Sequence, residues 1–249
     1  MPLVIMVAGS LRAPGLAPPD GFELIPNPLW RFNYRAVFAL IPMWTYLRNS
    51  LLVVAVAVPM TVLVASWAWF PIAVADAARR KRLIVVSMVV LMIPVSALWI
   101  PRFVLFRWTG VLDTLVPLVA PALMATTPFY VLVFALAYAR IPRELFEAAR
   151  LEGLSPFGIW RKVAWPLATP AAFAIALLAF IWHWSNFVDP LLYLSSESHF
   201  TVALGLRALQ TLEPANHPIL LAGSVLATAP PVLAFFAAQR AFFTRTLEV

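Results

Sequence analysis

Residues 51–75 read LLVVAVAVPMTVLVASWAWFPIAVA, twenty-five consecutive positions without an Asp, Glu, Lys or Arg. About 20 mostly apolar residues suffice for a helix to cross the hydrocarbon core of a bilayer. A helix on the surface of a soluble protein carries a charged or polar stripe on its outer side, and this run has no charged stripe. Strands of a membrane barrel alternate apolar and polar residues, whereas here the apolar residues are continuous. The run reads as a membrane-spanning helix.

Four further stretches repeat the pattern, at 83–101, 114–139, 167–188 and 218–238. The composition agrees: of 249 residues, 63% are hydrophobic and 12% charged, against about half and a quarter in soluble domains. Mean hydropathy is +0.89. No water-soluble fold of this length hides so much apolar surface, which excludes a soluble enzyme. Disorder needs the opposite balance. The absence of cysteine excludes disulfides, thiolate catalysis and Cys-ligated metal. The expected fold class is an all-α, multi-pass transmembrane helical bundle with five full spans. Residues 1–8 are apolar but too short to cross, and they lack the basic flank of a secretory signal.

Basic residues orient the bundle. Eleven of the 18 Lys and Arg lie in the 45 residues of 76–82, 140–166 and 239–249, and seven in the 91 residues of the opposite loops. The denser side is expected to be cytoplasmic, which places the carboxyl terminus inside and the amino terminus outside. The net charge of +7 therefore reads as helix orientation rather than as a nucleic-acid surface. Prolines recur inside the spans, at 59, 94, 117, 121, 128, 230 and 231. Each removes a donor and frees a carbonyl that lipid cannot satisfy, so neighbouring helices or water must.

The spans are poor in chemistry. His183 is their one ionisable side chain, whereas ion-coupled carriers place carboxylates or broken-helix ion sites at mid-membrane. His199 and His217 have no metal-ligand spacing. None of the eight glycines precedes a lysine, so no phosphate-cradling loop is present. Neither catalytic residues, a metal site nor a cofactor is expected in this chain. Uphill transport would need energy from another polypeptide.

Residues 140–166 have the punctuation of two short helices. Pro142 suits a first helical position, Glu144 and Glu147 follow early, and Gly153 lies just past the end. Ser155–Pro156 reads as an N-cap and first residue of a second helix, with Phe157, Trp160, Val163 and Ala164 on one face. Ala148 and Ala149 leave room for another surface to approach. Docking on a partner and lying on the bilayer are both compatible with such a helix.

Glu147-Ala148-Ala149-x-x-x-Gly153, followed by Ile159 and Trp165-Pro166-Leu167, resembles the EAA loop of bacterial ABC importer permeases. Asn49-Ser50-Leu51 is similar to that family's entry to its core domain. Trp184-Ser185-Asn186-Phe187-x-x-Pro190-Leu191, Thr201-x-x-Leu204-Gly205-Leu206 and Gln239-Arg240 resemble the carbohydrate-uptake branch, of the maltose-type second-permease kind. The likeness covers roughly residue 30 to the end.

The resemblance implies a permease subunit of type I importer fold in a bacterial inner membrane. It implies a second permease, forming a heterodimer, two copies of a cytoplasmic ATPase that bind ATP and Mg, and an extracytoplasmic solute-binding protein. Residues 1–44 would form an extracytoplasmic segment, 45–239 the transmembrane domain and 240–249 a cytoplasmic tail. Glu147, Ala148, Ala149 and Gly153 would couple to the ATPase, Gly153 permitting the turn that aims the helix. Members usually have a further amino-terminal span, of which residues 1–8 would be the remnant, and a longer small-residue-rich tail.

Thr126, Thr127, Tyr130 and Asn186 are polar or amphipathic groups at membrane depth that could hydrogen-bond a sugar. Helix–helix hydrogen bonding is the structural alternative for each. Rival functions are a permease for a phosphorylated polyol or oligopeptide, an ion-coupled carrier subunit, and a membrane enzyme or scaffold. The carrier would need an ionisable pathway beyond His183.

Overall fold

The computed structural model describes residues 2–15, 24–73, 76–123 and 128–246. Among them every regular element is helical, since only helices and closed barrels satisfy their own backbone in lipid. In order they are α1 Pro2–Ser10, α2 Phe32–Leu40, α3 Met43–Ala73, α4 Ala77–Leu91, α5 Trp99–Trp108, α6 Val116–Leu123 and α7 Pro128–Ala139. There follow α8 Arg143–Leu151, α9 Pro156–Ile159, α10 Trp165–Leu167, α11 Thr169–Ser185, α12 Val188–Tyr193, α13 Val202–Leu212 and α14 His217–Thr246.

Met43–Ala68, Val116–Ala139 and His217–Phe236 are long and apolar enough to cross a bilayer. Two of the expected spans are not straight helices. In place of one helix over 83–101, Ala77–Leu91 and Val95–Trp108 meet at 82°. Pro94 explains the break: it lacks an N–H and disfavours helical backbone at the residue before it. The expected span 167–188 is the 17-residue α11, which meets Pro156–Leu167 at 79° and ends before Asn186. Ala168 lies at that bend between Pro166 and Pro170, neither of which can donate to the helical ladder. Five crossings result only if each bent pair counts once.

The chain divides into two compact units. The first comprises Met1–Val53, Asp113–Leu115 and Trp184–Ala237. In it α1 is a short packed helix, with Ala8 and Ser10 buried and Gly9 against Leu221. Asn33 Nδ2 donates to the carbonyls of Ser10 at 2.8 Å and Arg12 at 2.7 Å. The start of α3 is pinned by side chains: Asn49 Nδ2 donates to the carbonyls of Ser198 and Phe200, and the Val202 N–H donates to Ser50 Oγ. Tyr46 donates to Glu197 Oε1 at 2.7 Å, and its buried ring lies against Gly205.

Asp113 has left-handed backbone, φ 57°, and its carboxylate gathers the loop before α13. Oδ1 accepts from the N–H groups of Ser195 (2.9 Å) and Ser196 (2.8 Å), and Oδ2 accepts from Ser196 Oγ. His199 Nδ1 lies 3.5 Å from Oδ1. The hydrogen bonds from Ser196 first, then Ser195, hold the Asp113 carboxyl well below the usual carboxylate range.

The second unit comprises Val54–Leu112, Val116–His183 and Ala238–Val249. Its core joins Val62, Ala65 and Phe70 of α3, Phe134 and Tyr138 of α7, and Phe146 and Ala149 of α8. Ile159, Ala164, Ala168, Ala172, Ile175 and Ala179 also belong to it. Lipid offers no hydrophobic drive between helices, so small residues that permit close packing matter more than bulk. The alanines at 164, 168 and 172, spaced four apart, answer to that requirement.

Candidate functional site

The loop between α7 and α11 is built around α8. Pro142, with φ −55° and ψ 135°, stands at the N-cap rather than at the first helical position, one residue from expectation. Glu144 in the first turn and Arg150 in the last both complement the helix dipole. Phe146 and Ala149, three residues apart, share one face and are buried in the core. Glu147 and Ala148 lie on the exposed side, and Leu151 beside them is 90% exposed. So Ala148 and Ala149 divide the work: Ala148 leaves the outer surface low, while Ala149 lets the inner surface pack against its own core.

Gly153 ends the helix with φ +77°. Its N–H donates to the Arg150 carbonyl at 2.9 Å, and the Leu154 N–H donates to the Ala149 carbonyl at 3.1 Å. This paired arrangement satisfies carbonyls that a helix terminus leaves free, and Leu154 packs back onto the core. Nothing lies within 4 Å of where a Cβ would stand, so backbone conformation, not space, requires glycine here.

Ser155 Oγ then accepts from the Gly158 N–H at 3.2 Å, with Pro156 next, as the spacing predicts. The second helix is not uniform. Trp160–Ala164 forms a π turn between α9 and α10, a rare form that recurs at functional sites. Trp160 packs on Trp67 with centroids 5.3 Å apart at 85°, and Phe157 packs on Trp67 at 5.7 Å. Trp160 Nε1 donates to Ser66 Oγ at 2.9 Å, and Ser66 Oγ is 2.6 Å from the Tyr138 hydroxyl. Sequence reasoning missed Leu151, Ser66 and Tyr138. Their burial or exposure depends on which faces α8, α3 and α7 turn inward.

The candidate pathway residues do not form one site. Thr126 and Thr127 lie outside the described residues. Tyr130 is buried in the second unit, its ring edge-on to Phe129 at 5.7 Å. Asn186, in the first unit, spends both ends of its amide on Asp189: Nδ2 donates to Oδ2 at 2.8 Å, and Oδ1 accepts from the N–H at 3.2 Å. A small, open cleft beside α8 is lined by Arg80, Tyr138, Ile141, Arg143 and Phe146 among others, and by neither Tyr130 nor Asn186. Among the described residues no group of His, Cys, Asp and Glu could hold a metal ion.

Residues 68–248 match the family model described as binding-protein-dependent transport system inner membrane component. The arabinooligosaccharides transport system permease protein AraQ of Halalkalibacterium halodurans is 33% identical, over 97% of this chain and 87% of its own length. The lactose transport system permease protein LacG of Rhizobium radiobacter is 30% identical over 84% of this chain and 76% of its own. The diacetylchitobiose uptake system permease protein DasC of Streptomyces coelicolor is 28% identical over 89% and 83%. In fold, the chain is similar to a subunit of a bacterial ABC transporter involved in import of the acidic polysaccharide alginate. That likeness has a TM-score of 0.78 and 20% identity, over 97% of this chain and 90% of that one.

Proposed function

Because this chain belongs to the family of binding-protein-dependent transport system inner membrane components, we propose that it forms half of the membrane pathway of an oligosaccharide importer. Membership makes it a multi-pass permease of the inner membrane, a transport component rather than an enzyme. The carbohydrate class rests on the arabinooligosaccharide, lactose and diacetylchitobiose permeases it is similar to. A second permease completes the pathway, an extracytoplasmic binding protein delivers the solute, and a pair of ATPase subunits binds ATP and Mg on the cytoplasmic side.

In this reading α8 is the coupling helix, and it lies with the carboxyl terminus in the cytoplasm. One observation carries it: α8 buries Phe146 and Ala149 in the core of the spans while Glu147, Ala148 and Leu151 face outward. A helix so held is a handle. Force applied to its outer face reaches the spans instead of bending a loop. Glu147 meets a basic group on the ATPase, and the low profile of Ala148 lets that surface close over it.

Uptake of labelled arabinooligosaccharides and lactose tests the reading, in cells whose only copy of this chain is native or Glu147→Lys. The native chain is expected to restore uptake, and the variant to abolish it at equal membrane level. Uptake by the variant at the native rate would overturn the coupling role.

A further inference from the structure

Three polar groups from three separate elements meet in the second unit. Ser66 lies on α3, near its carboxyl end, and is fully buried; Tyr138 lies at the end of α7 and is 1% exposed. Trp160 opens the π turn that follows α8 and α9. Its indole N–H donates to Ser66 Oγ at 2.9 Å, and the same oxygen is 2.6 Å from the Tyr138 hydroxyl. Ser66 is therefore the hub, and the bonds run from the α8–α11 loop into two helices.

We propose that the Ser66 hydroxyl, held by Trp160 and Tyr138, is the joint that makes the α8 loop and helices α3 and α7 move as one body during ATP-driven transport. The proposal rests on the coupling role of α8. In the second unit, α3 from Val54 onward and α7 carry no Asp, Glu, Lys or Arg that could relay a signal electrostatically, so a stroke delivered at α8 passes to them by contact. Apolar contacts alone slide at modest cost in lipid, because one hydrocarbon neighbour resembles another. A hydrogen bond differs: parting Trp160 from Ser66 leaves a donor and an acceptor unmet where water is scarce. The aromatic rings of Trp67 and Phe157 pack on Trp160, and that of Phe70 packs on Tyr138, so the joint is bordered by apolar rings. Phe70 also touches both Tyr138 and Phe146, so α8 and the joint share one packed neighbourhood.

This chain has no cysteine, so two cysteines introduced into it can be labelled on the purified chain, before assembly, without background. Spin labels at Leu63→Cys on α3 and Leu151→Cys on α8 report the distance between them, both sites being exposed. The transporter is assembled with its partner permease and ATPase in phosphatidylethanolamine–phosphatidylglycerol nanodiscs, without nucleotide and with ATP and vanadate. With Ser66 or Ser66→Thr, one narrow distance is expected in both states.

With Ser66→Val, which matches Thr in shape but lacks the hydroxyl, a second distance is expected, its population raised about tenfold, the equivalent of one buried hydrogen bond. Trp160→Phe keeps the ring and is expected to do the same, which guards against a packing effect at residue 66. Identical narrow distributions for Thr, Val and Phe variants would overturn the joint. Separately, a photoreactive label at Leu151→Cys is expected to cross-link to the ATPase in every variant. Loss of that cross-link in the native transporter would overturn the coupling reading itself, and the joint with it.

Discussion

Trp184 donates its indole N–H to the carbonyl of Ala227 at 3.0 Å, and that carbonyl lies four residues before Pro231. In a regular helix it would accept from residue 231, which as proline has no N–H to give. One neighbouring helix thus supplies the donor that a proline in another has removed. Lipid could not have done so.

Trp184→Phe keeps the ring and removes the donor, leaving a buried carbonyl unmet. The expected cost is about 1–3 kcal/mol, read as a lower thermal midpoint in detergent. In a Pro231→Ala background residue 231 again offers an N–H, and the same substitution is expected to cost less. Equal losses in both backgrounds would show that Trp184 acts through packing alone.

Gly205 leaves no room for a side chain. A Cβ there would run into Tyr46 Cδ2, and the Tyr46 ring is fully buried with its hydroxyl tied to Glu197. Gly205→Ala is expected to destabilise by about 1–3 kcal/mol through overpacking. Denaturation followed by circular dichroism checks this. Gly15→Ala, where nothing lies within 4 Å, is the control for a clash and is expected to cost only its backbone strain.

Gly153 fails for the opposite reason. Space is open around it, so uptake should track tolerance of positive φ rather than side-chain size. Gly153→Asn is expected to retain more uptake than Gly153→Val, whose left-handed backbone costs about 1–2 kcal/mol or more. Uptake ordered by volume, with the small Gly153→Ala matching native, would contradict this.

Asp113 governs how the loop before α13 answers to acid. Its pKa is lowered in the folded chain, so the stability it lends is present above the ordinary carboxylate range and lost as pH falls through the lowered value. Hydrogen exchange at the Ser195 and Ser196 amides is therefore expected to show no Asp113-linked change between about pH 5 and 3, the range in which an ordinary Asp carboxylate takes up its proton. Asp113→Asn should speed exchange at both amides throughout that window. If an Asp113-linked acceleration appears in the native chain as the pH drops to about 3, the carboxylate is not held as the geometry requires.

Local features with short-range causes were legible in residue order. Ser155–Pro156 opens a helix and Gly153 closes one because caps need only a particular side chain or a particular φ. The helix break at Asn186 was not legible, because Trp182 to Val188 holds no Asp, Glu, Lys or Arg and so reads as a continuation of the span. Its amide, a sugar-contact candidate by sequence, proves to be engaged with Asp189. Pro94 was visible as a bend, but no rule of spacing gives the 82° between the helices that flank it. How far a proline bends a helix depends on what the freed groups meet.

What residue order alone determined is the solvent and the secondary structure: a chain so apolar folds in lipid, and a backbone in lipid must satisfy itself as helix. Tertiary structure alone decided which polar side chains are spent. Ser66 could have faced lipid, bonded within its own helix or met a partner, and each choice is equal by composition. Only the packing of α3, α7 and the π turn brings Trp160 and Tyr138 to the same oxygen. A hydrogen bond reaches about 3 Å, and which groups come that close is set by the arrangement of whole helices.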